Sequence, residues 1–434
     1  MTTPPGTGAA QTSGAAEPRL IPHLSTWDAA SAGLAAILGA GIFAAIAPAV
    51  GITGGSVVVA LMLAGGVAGL NATSAAQLAA AYPRAGGTYE FGNRVLGPWW
   101  GFASGWMFIT ANTAGVAAIA QAFSGYLHAL LPALPVALGA IVALGAVTTI
   151  NALGIKRSVG ITNVIVVLEV LALVMVIALG ARGVRVANLR PFAPGGVGGV
   201  LRAAGLLFFA YTGYARIATL VEEVRDPVRS IPRAILSALS TAILLYVGVS
   251  LVVVGILGPS ATARSASPLA AAMLATGSGL GLVIVTAGAL ITTFNEDLSD
   301  SLGVSRVVFA MARGGDLPAP LMRLTARANP VTAVILTGVV AAGLAVVVPF
   351  GTQVAVSSFA TLLYYALTNY AGLRLAPERR RYPRALALGG LLCCLALAFS
   401  LAPVDWAAGL GVLAVGLLYR VARTELWPRV RRRA

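Results

Sequence analysis

The sequence predicts an all-helical integral membrane protein with about twelve transmembrane helices, and three observations carry that reading. Of its 434 residues, 58% are hydrophobic before the 51 glycines are counted, against roughly 45–50% with glycine included in a soluble domain. Only 10% are charged, where a soluble protein carries about 25%, so there are too few charges to coat a water-facing surface. The apolar residues also fall in runs of about 20, the length of helix needed to cross a bilayer. A run such as Val164 to Leu179 is apolar at odd and even positions alike, unlike the alternating strands of a membrane β-barrel. The same arithmetic disfavours a soluble enzyme, a disordered chain and a nucleic-acid-binding domain.

Residues 1–24 are rich in Gly, Ala, Thr and Pro and lack a basic start followed by an apolar core. They read as a disordered cytoplasmic tail, not a cleavable signal peptide. The expected spans lie near 27–50, 55–81, 98–130, 133–152, 158–180, 198–221, 232–257, 278–311, 330–350, 352–374, 384–402 and 404–422, separated by short turns rich in Gly, Pro and Arg. The net charge of +15 is first a topology signal, because positive loops stay in the cytoplasm. With the N-terminus inside, 23 Lys and Arg fall in cytoplasmic segments against five outside, with Arg216 left within a span. Both termini are therefore expected inside, and the basic tail, 424–434, would rest on anionic lipid heads.

Little points to chemistry. Cys393 and Cys394 are adjacent in a leucine-rich run and read as small apolar fillers, and His23 and His128 have no metal-ligand companions. No phosphate-binding GxxxxGK[ST] loop is present, so nothing suggests an ATP-driven pump. Neither catalysis nor a cofactor or metal is expected.

Two interruptions sit deep in apolar segments: Gly39-Ala40-Gly41 in the first span and Thr212-Gly213 in the sixth. They occupy corresponding places five spans apart. Five is odd, so the halves 25–180 and 198–374 run in opposite directions, as in an inverted repeat with a substrate site at the two breaks. Close helix packing through small residues is the alternative account of these glycines. The repeat would form a ten-helix core over 25–374, followed by two accessory helices over 383–423.

The motifs around these breaks are specific in combination. They are Gly39-Ala40-Gly41-Ile42-Phe43; Tyr82-Pro83-Arg84-Ala85-Gly86-Gly87-Thr88-Tyr89; Phe208-Phe209-Ala210-Tyr211-Thr212-Gly213-Tyr214, running on to Glu222-Glu223-Val224-Arg225-Asp226-Pro227; and Met311-Ala312-Arg313-Gly314-Gly315-Asp316-Leu317-Pro318. In this order, over nearly the whole chain, they resemble the amino acid/polyamine/organocation permeases. Ile217-Ala218-Thr219 followed by Glu222-Glu223 is most similar to the cationic amino acid transporter branch. The resemblance implies a leucine-transporter-type fold and amino acid transport by alternating access. It also implies that the N–H groups of Ala40 and Gly41 take the substrate carboxylate, that the carbonyls of Ile37, Phe209, Ala210 and Thr212 take its ammonium, and that Tyr214 covers it from outside. The physics agrees: unwinding a helix in the membrane frees backbone groups that are costly unpaired, and a zwitterion can satisfy them.

Ionisable residues within spans are functional by default. Glu169 lies mid-span with no basic residue within a helical turn, where many proton-coupled relatives carry lysine. It could carry the coupled proton, pair with Arg216 or bind a cation. Glu296, Asp297 and Asp300 in the eighth span either hold a cationic substrate or form an internal salt-bridge network with Arg216 and Arg306. Arg216 is a gate or a packing partner. Tyr364, Tyr365 and Asn369 either line the pathway or, as the favoured reading, make ordinary polar contacts between helices. The expected function is a proton-coupled amino acid permease, with exchange without net proton flow, or transport of a polyamine or organic cation, as alternatives. Abundant Gly, Ala and Arg beside one lysine fit a bacterial cell membrane as its address.

Overall fold

The computed structural model describes residues 25–82, 87–154, 159–214, 224–325 and 329–426. The expected tail 1–24, Arg216, Glu222, Glu223, residues 427–434 of the basic tail and the side chain of Tyr214 lie outside the described residues. Every regular element described is helical. The order is α1 (Thr26–Ile37), a π-helical turn (Gly41–Ala45) running into α2 (Ile46–Thr53), α3 (Val57–Ala81), α4 (Gly87–Phe91), α5 (Pro98–Leu130), α6 (Val136–Ala152) and α7 (Val159–Gly180). Then come α8 (Gly196–Leu207) running into a 3-10 segment (Phe208–Tyr214), α9 (Pro227–Arg264), α10 (Pro268–Ala275), α11 (Gly279–Arg313), α12 (Val331–Val347), α13 (Phe350–Arg374), α14 (Arg384–Ser400) and α15 (Pro403–Val421).

Among the described residues, seven helical runs are long and apolar enough to cross a membrane. Three shorter apolar helices, α6, α12 and α14, have 17 residues each. The run 26–81 reverses at Gly54, whose φ of 62° suits a residue without Cβ, so it covers two of the expected stretches. Helix α13 has 25 residues but is too polar to join the seven, because Gln353, Ser357, Ser358, Thr361, Thr368 and Asn369 line its buried side.

Local sequence explains the boundaries. Ser25 and Asp28 form a capping box at the start of α1: the Asp28 N–H donates to Ser25 Oγ at 3.1 Å and the Ser25 N–H donates to Asp28 Oδ2 at 2.9 Å. Helix α5 opens with Gly97 at φ 103° and Pro98 in its first turn. Helix α7 shows how an apolar run is divided between lipid and protein. Val164, Val167, Leu168 and Leu171 are exposed, while Val166, Glu169, Leu173 and Val176 are buried. The buried positions follow three- and four-residue steps, so they form one helix face, and Glu169 lies on it. That face meets α1, α9 and α11.

Helix α1 packs against α9, α7 and the 3-10 segment, and α11 packs against α5 and α7. Both interrupted segments thus lie in the largest buried core, which includes Ile42, Phe43, Phe208 and Phe209. The second interruption begins earlier than the sequence suggests, since α8 gives way to the tighter 3-10 helix at Phe208 instead of at Thr212.

Candidate functional site

Helix α1 ends because Leu38 takes extended backbone, φ −69° and ψ 124°. Helical structure resumes at residue 40 and continues through 53. The glycines of this break are required by close approach more than by unusual dihedrals, for none of Gly39, Gly41 and Gly213 has positive φ. A Cβ on Gly39 would fall on the Glu296 carboxylate, one on Gly41 on Ala210, and one on Gly213 on the Ala36 carbonyl. The small residues therefore pack the two broken segments against each other, and the backbone of the first span is interrupted at the same place.

Several of the freed backbone groups have partners within the protein. The Ala40 N–H donates to Glu296 Oε2 at 2.8 Å, across 256 residues of sequence. The Tyr246 hydroxyl lies 2.6 Å from the Ile37 carbonyl and 3.1 Å from that of Ala210. One O–H proton serves both, so each carbonyl keeps spare acceptor capacity. The Tyr365 hydroxyl donates to the Thr212 carbonyl at 3.3 Å, and Thr212 Oγ1 donates to that of Phe209 at 3.2 Å. Tyr126 donates to the Phe43 carbonyl at 2.6 Å. The backbone groups of Ile37, Ala40, Phe209, Ala210 and Thr212 are thus gathered at one place, together with the backbone of Gly41.

Among the described residues, α7 and α11 carry four buried acids. Glu169 is 1% exposed, and Glu296, Asp297 and Asp300 are likewise buried. Neither Glu169 oxygen has a hydrogen bond of good geometry; the Thr292 hydroxyl and the Glu296 charge are the neighbours it feels. Asp297 also feels Glu296 and has one unpartnered oxygen. Arg306, a possible partner on sequence grounds, is exposed. The structure therefore brings Glu169, Glu296 and Asp297 together beside the break in the first span.

Sequence reasoning missed Tyr246. Its signal was a hydroxyl inside the apolar run Ile243 to Val249, since a buried tyrosine O–H needs an acceptor. Tyr365 acts on the broken segment, beyond the ordinary interhelical contact expected of it. Asn369 keeps such a contact, donating to Asn71 Oδ1 at 2.6 Å, beside the buried Cys394 thiol.

A second polar cluster joins α4, the segment after α11, and α15 around a cavity of about 380 Å³ lined by Tyr89, Glu90, Asn93, Arg313, Asp316 and Arg420. Tyr89 donates to Asp316 Oδ2 at 2.9 Å, and the Arg420 guanidinium lies 3.4 Å from Oδ1. Arg420 also donates to the Pro98 carbonyl at 2.6 Å and stands 4.9 Å from the Trp99 and Phe102 ring centres. Burial pushes the Asp316 carboxyl up from its ordinary value, against the Tyr89 hydrogen bond and the Arg420 charge. Burial, then the Asp316 charge, pushes the Tyr89 hydroxyl up, so it remains a donor.

Comparison with known proteins adds an independent line. Residues 28–426 match the family described as amino acid permease. The chain is 42% identical over 412 residues to an uncharacterized transporter of Mycobacterium tuberculosis, covering 92% of each chain. It is 30% identical over 438 residues to the branched-chain amino acid permease BcaP of Bacillus subtilis, covering 94% of each. It is 30% identical over 427 residues to a methylthioribose transporter of Bacillus subtilis, covering 91% of this chain and 92% of the other. Cationic amino acid transporters of Arabidopsis thaliana are among the further relatives.

Proposed function

Because this chain belongs to the amino acid permease family, whose members are multi-pass membrane transporters and not enzymes, we propose that it is a secondary active amino acid transporter working by alternating access. Substrate binds where the interruptions at 38–41 and 208–214 meet. The observation that carries this reading is the convergence of a helix-start N–H, that of Ala40, with the carbonyls of Ile37 and Ala210, which share one hydroxyl. A zwitterion presents matching groups: a carboxylate for the N–H and an ammonium for the carbonyls. Phe209 and Thr212 add further carbonyls, and Tyr214 keeps the covering role that the family resemblance implies.

The two breaks are the matched halves of an inverted repeat over 25–180 and 198–374, both termini are cytoplasmic, and the protein resides in a bacterial cell membrane. Proton coupling runs through Glu169, a buried acid without a well-made hydrogen bond, facing Glu296. Glu169→Gln is expected to abolish uptake driven by a pH gradient while leaving exchange of internal for external substrate. Full pH-driven uptake by the variant in proteoliposomes would remove Glu169 from the coupling path.

A second reading, transport of an organic cation, is favoured by the acids Glu169, Glu296 and Asp297 at the break. One experiment separates the two. The protein's melting temperature in detergent is recorded against the standard amino acids, putrescine and choline, since a ligand that binds only the folded state stabilises it. Neutral or branched-chain amino acids alone would assign the acids to coupling and gating. Arginine, lysine or ornithine alone would assign Glu296, Asp297 and Asp300 to the substrate side chain. A shift from putrescine or choline without any amino acid would overturn the carboxylate site.

A further inference from the structure

The break in the first span already holds a carboxylate, and it is the protein's own. Glu296 reaches from α11 to place Oε2 2.8 Å from the Ala40 N–H, the donor at the start of the helical run 40–53. Its berth is built for it. The neighbouring residue is Gly39, where any Cβ would fall on the Glu296 carboxyl atoms. The side chain is buried, at 6% exposure, so this is an interior contact and not a surface arm. The carbonyls opposite are served at the same time by the Tyr246 hydroxyl. Acid and hydroxyl together reproduce the acceptor and donor of a zwitterion.

We propose that Glu296 is an intramolecular competitor of the substrate carboxylate, holding the helix-start N–H in the empty carrier and yielding it when an amino acid binds. This rests on the reading of the break as an amino acid site. Two carboxylates cannot both accept the one hydrogen of this N–H without close like-charge contact, which is unfavourable away from water. Binding must therefore displace Glu296, and its displacement is subtracted from the affinity. In return, the empty carrier does not leave a helix-start N–H buried without an acceptor. Glu296 thus sets affinity by opposing the ligand, the reverse of what a substrate-binding acid does.

The sign of one measurement decides the matter. Wild type, Glu296→Gln and Glu296→Ala are purified in detergent, and binding of the twenty standard amino acids is measured by calorimetry, with the C-terminal amide of the best binder as control. Removing the competitor should tighten amino acid binding by about tenfold or more in Glu296→Ala. Glu296→Gln, which keeps an uncharged acceptor, should fall between it and wild type. The amide lacks the competing carboxylate, so its affinity should gain less. Weaker or unchanged amino acid binding in both variants would overturn the proposal. Should Glu296→Ala fail to elute as a folded species, the near-isosteric Glu296→Gln decides alone: tighter binding supports competition, and equal or weaker binding overturns it. If no amino acid binds wild type or either variant, the amino acid reading itself falls. Binding to wild type without a gain in the variants would overturn only the role of Glu296.

Discussion

Two buried carboxylates stand in contrasting surroundings. Asp316 is enclosed by a phenol and a guanidinium, and that guanidinium is itself fixed by a carbonyl and two aromatic rings. Glu296 accepts from the N–H of Ala40, with Glu169 and Asp297 close enough for their charges to interact with it. A full countercharge with several fixed partners makes a contact that is hard to exchange. A backbone N–H surrounded by other acids makes one that a stronger ligand can replace. The Asp316 cluster ties α15 to the start of α5 and the end of α11, and belongs to the scaffold. The Glu296 contact lies at the proposed substrate site. Substitutions in the first should change stability more than affinity, and in the second affinity more than stability.

The largest effect expected at the centre comes from Gly41→Val. Its side chain would enter the space of Ala210, forcing apart the two broken segments at the proposed site. Uptake in proteoliposomes should fall to background and ligand-induced thermal stabilisation should vanish. Normal uptake would separate the break from the transport path and dissolve the contrast.

At the scaffold the largest effect should follow Arg420→Ala. It leaves Asp316 buried without its cation and removes the group stacked on Trp99 and Phe102. Removing one partner of a buried ion pair costs about 3–5 kcal/mol. A large drop in melting temperature should appear, with ligand affinity nearly unchanged in the protein that remains folded. Loss of affinity at constant stability would reverse the assignment of the two regions.

Tyr246→Phe should be milder. It keeps the ring beside Tyr211, at 5.3 Å between centroids, but withdraws the proton shared by the Ile37 and Ala210 carbonyls. Leaving a buried acceptor unsatisfied costs about 1–3 kcal/mol. An amino acid ammonium can replace that donor, so saturating substrate should recover part of the lost thermal stability. Equal losses with and without substrate would make Tyr246 a packing residue.

These two regions also differ in how far the sequence reveals them. Helical periodicity and the paucity of charge mark the membrane helices, and glycines inside apolar runs mark the interruptions, because a missing Cβ is visible in the sequence. Glu169 stands out for the same reason, as a charge where only apolar residues belong. The pairing of Ala40 with Glu296 was not legible, since a contact across 256 residues depends on how α1 and α11 pack. Tyr246 was hidden because tyrosine is compatible with an apolar run, and only the fold shows which carbonyls it serves. The cluster of Tyr89, Asp316 and Arg420 draws on three distant segments, and none of its members is unusual in its own neighbourhood.

The smallest prediction concerns pH, and its sign tests the description of the scaffold. Burial raises the Asp316 carboxyl above its ordinary value despite Arg420 and Tyr89. Between the ordinary and the raised value the folded protein holds more protons than the unfolded chain, so stability falls as pH rises through that window. The contribution is fully present below the ordinary carboxylate range and is lost as pH passes the folded value. Melting curves of wild type and Asp316→Asn should therefore differ most in favour of wild type at the acid end, with that advantage shrinking as pH rises. If the advantage instead grows with pH, attraction to Arg420 outweighs burial and Asp316 is stabilised chiefly as an anion. In that case the scaffold would be held by its ion pair. With the predicted sign, Arg420 serves mainly to limit what burial of Asp316 costs, and most of the cluster's rigidity comes from its stacking on Trp99 and Phe102 and its bond to the Pro98 carbonyl.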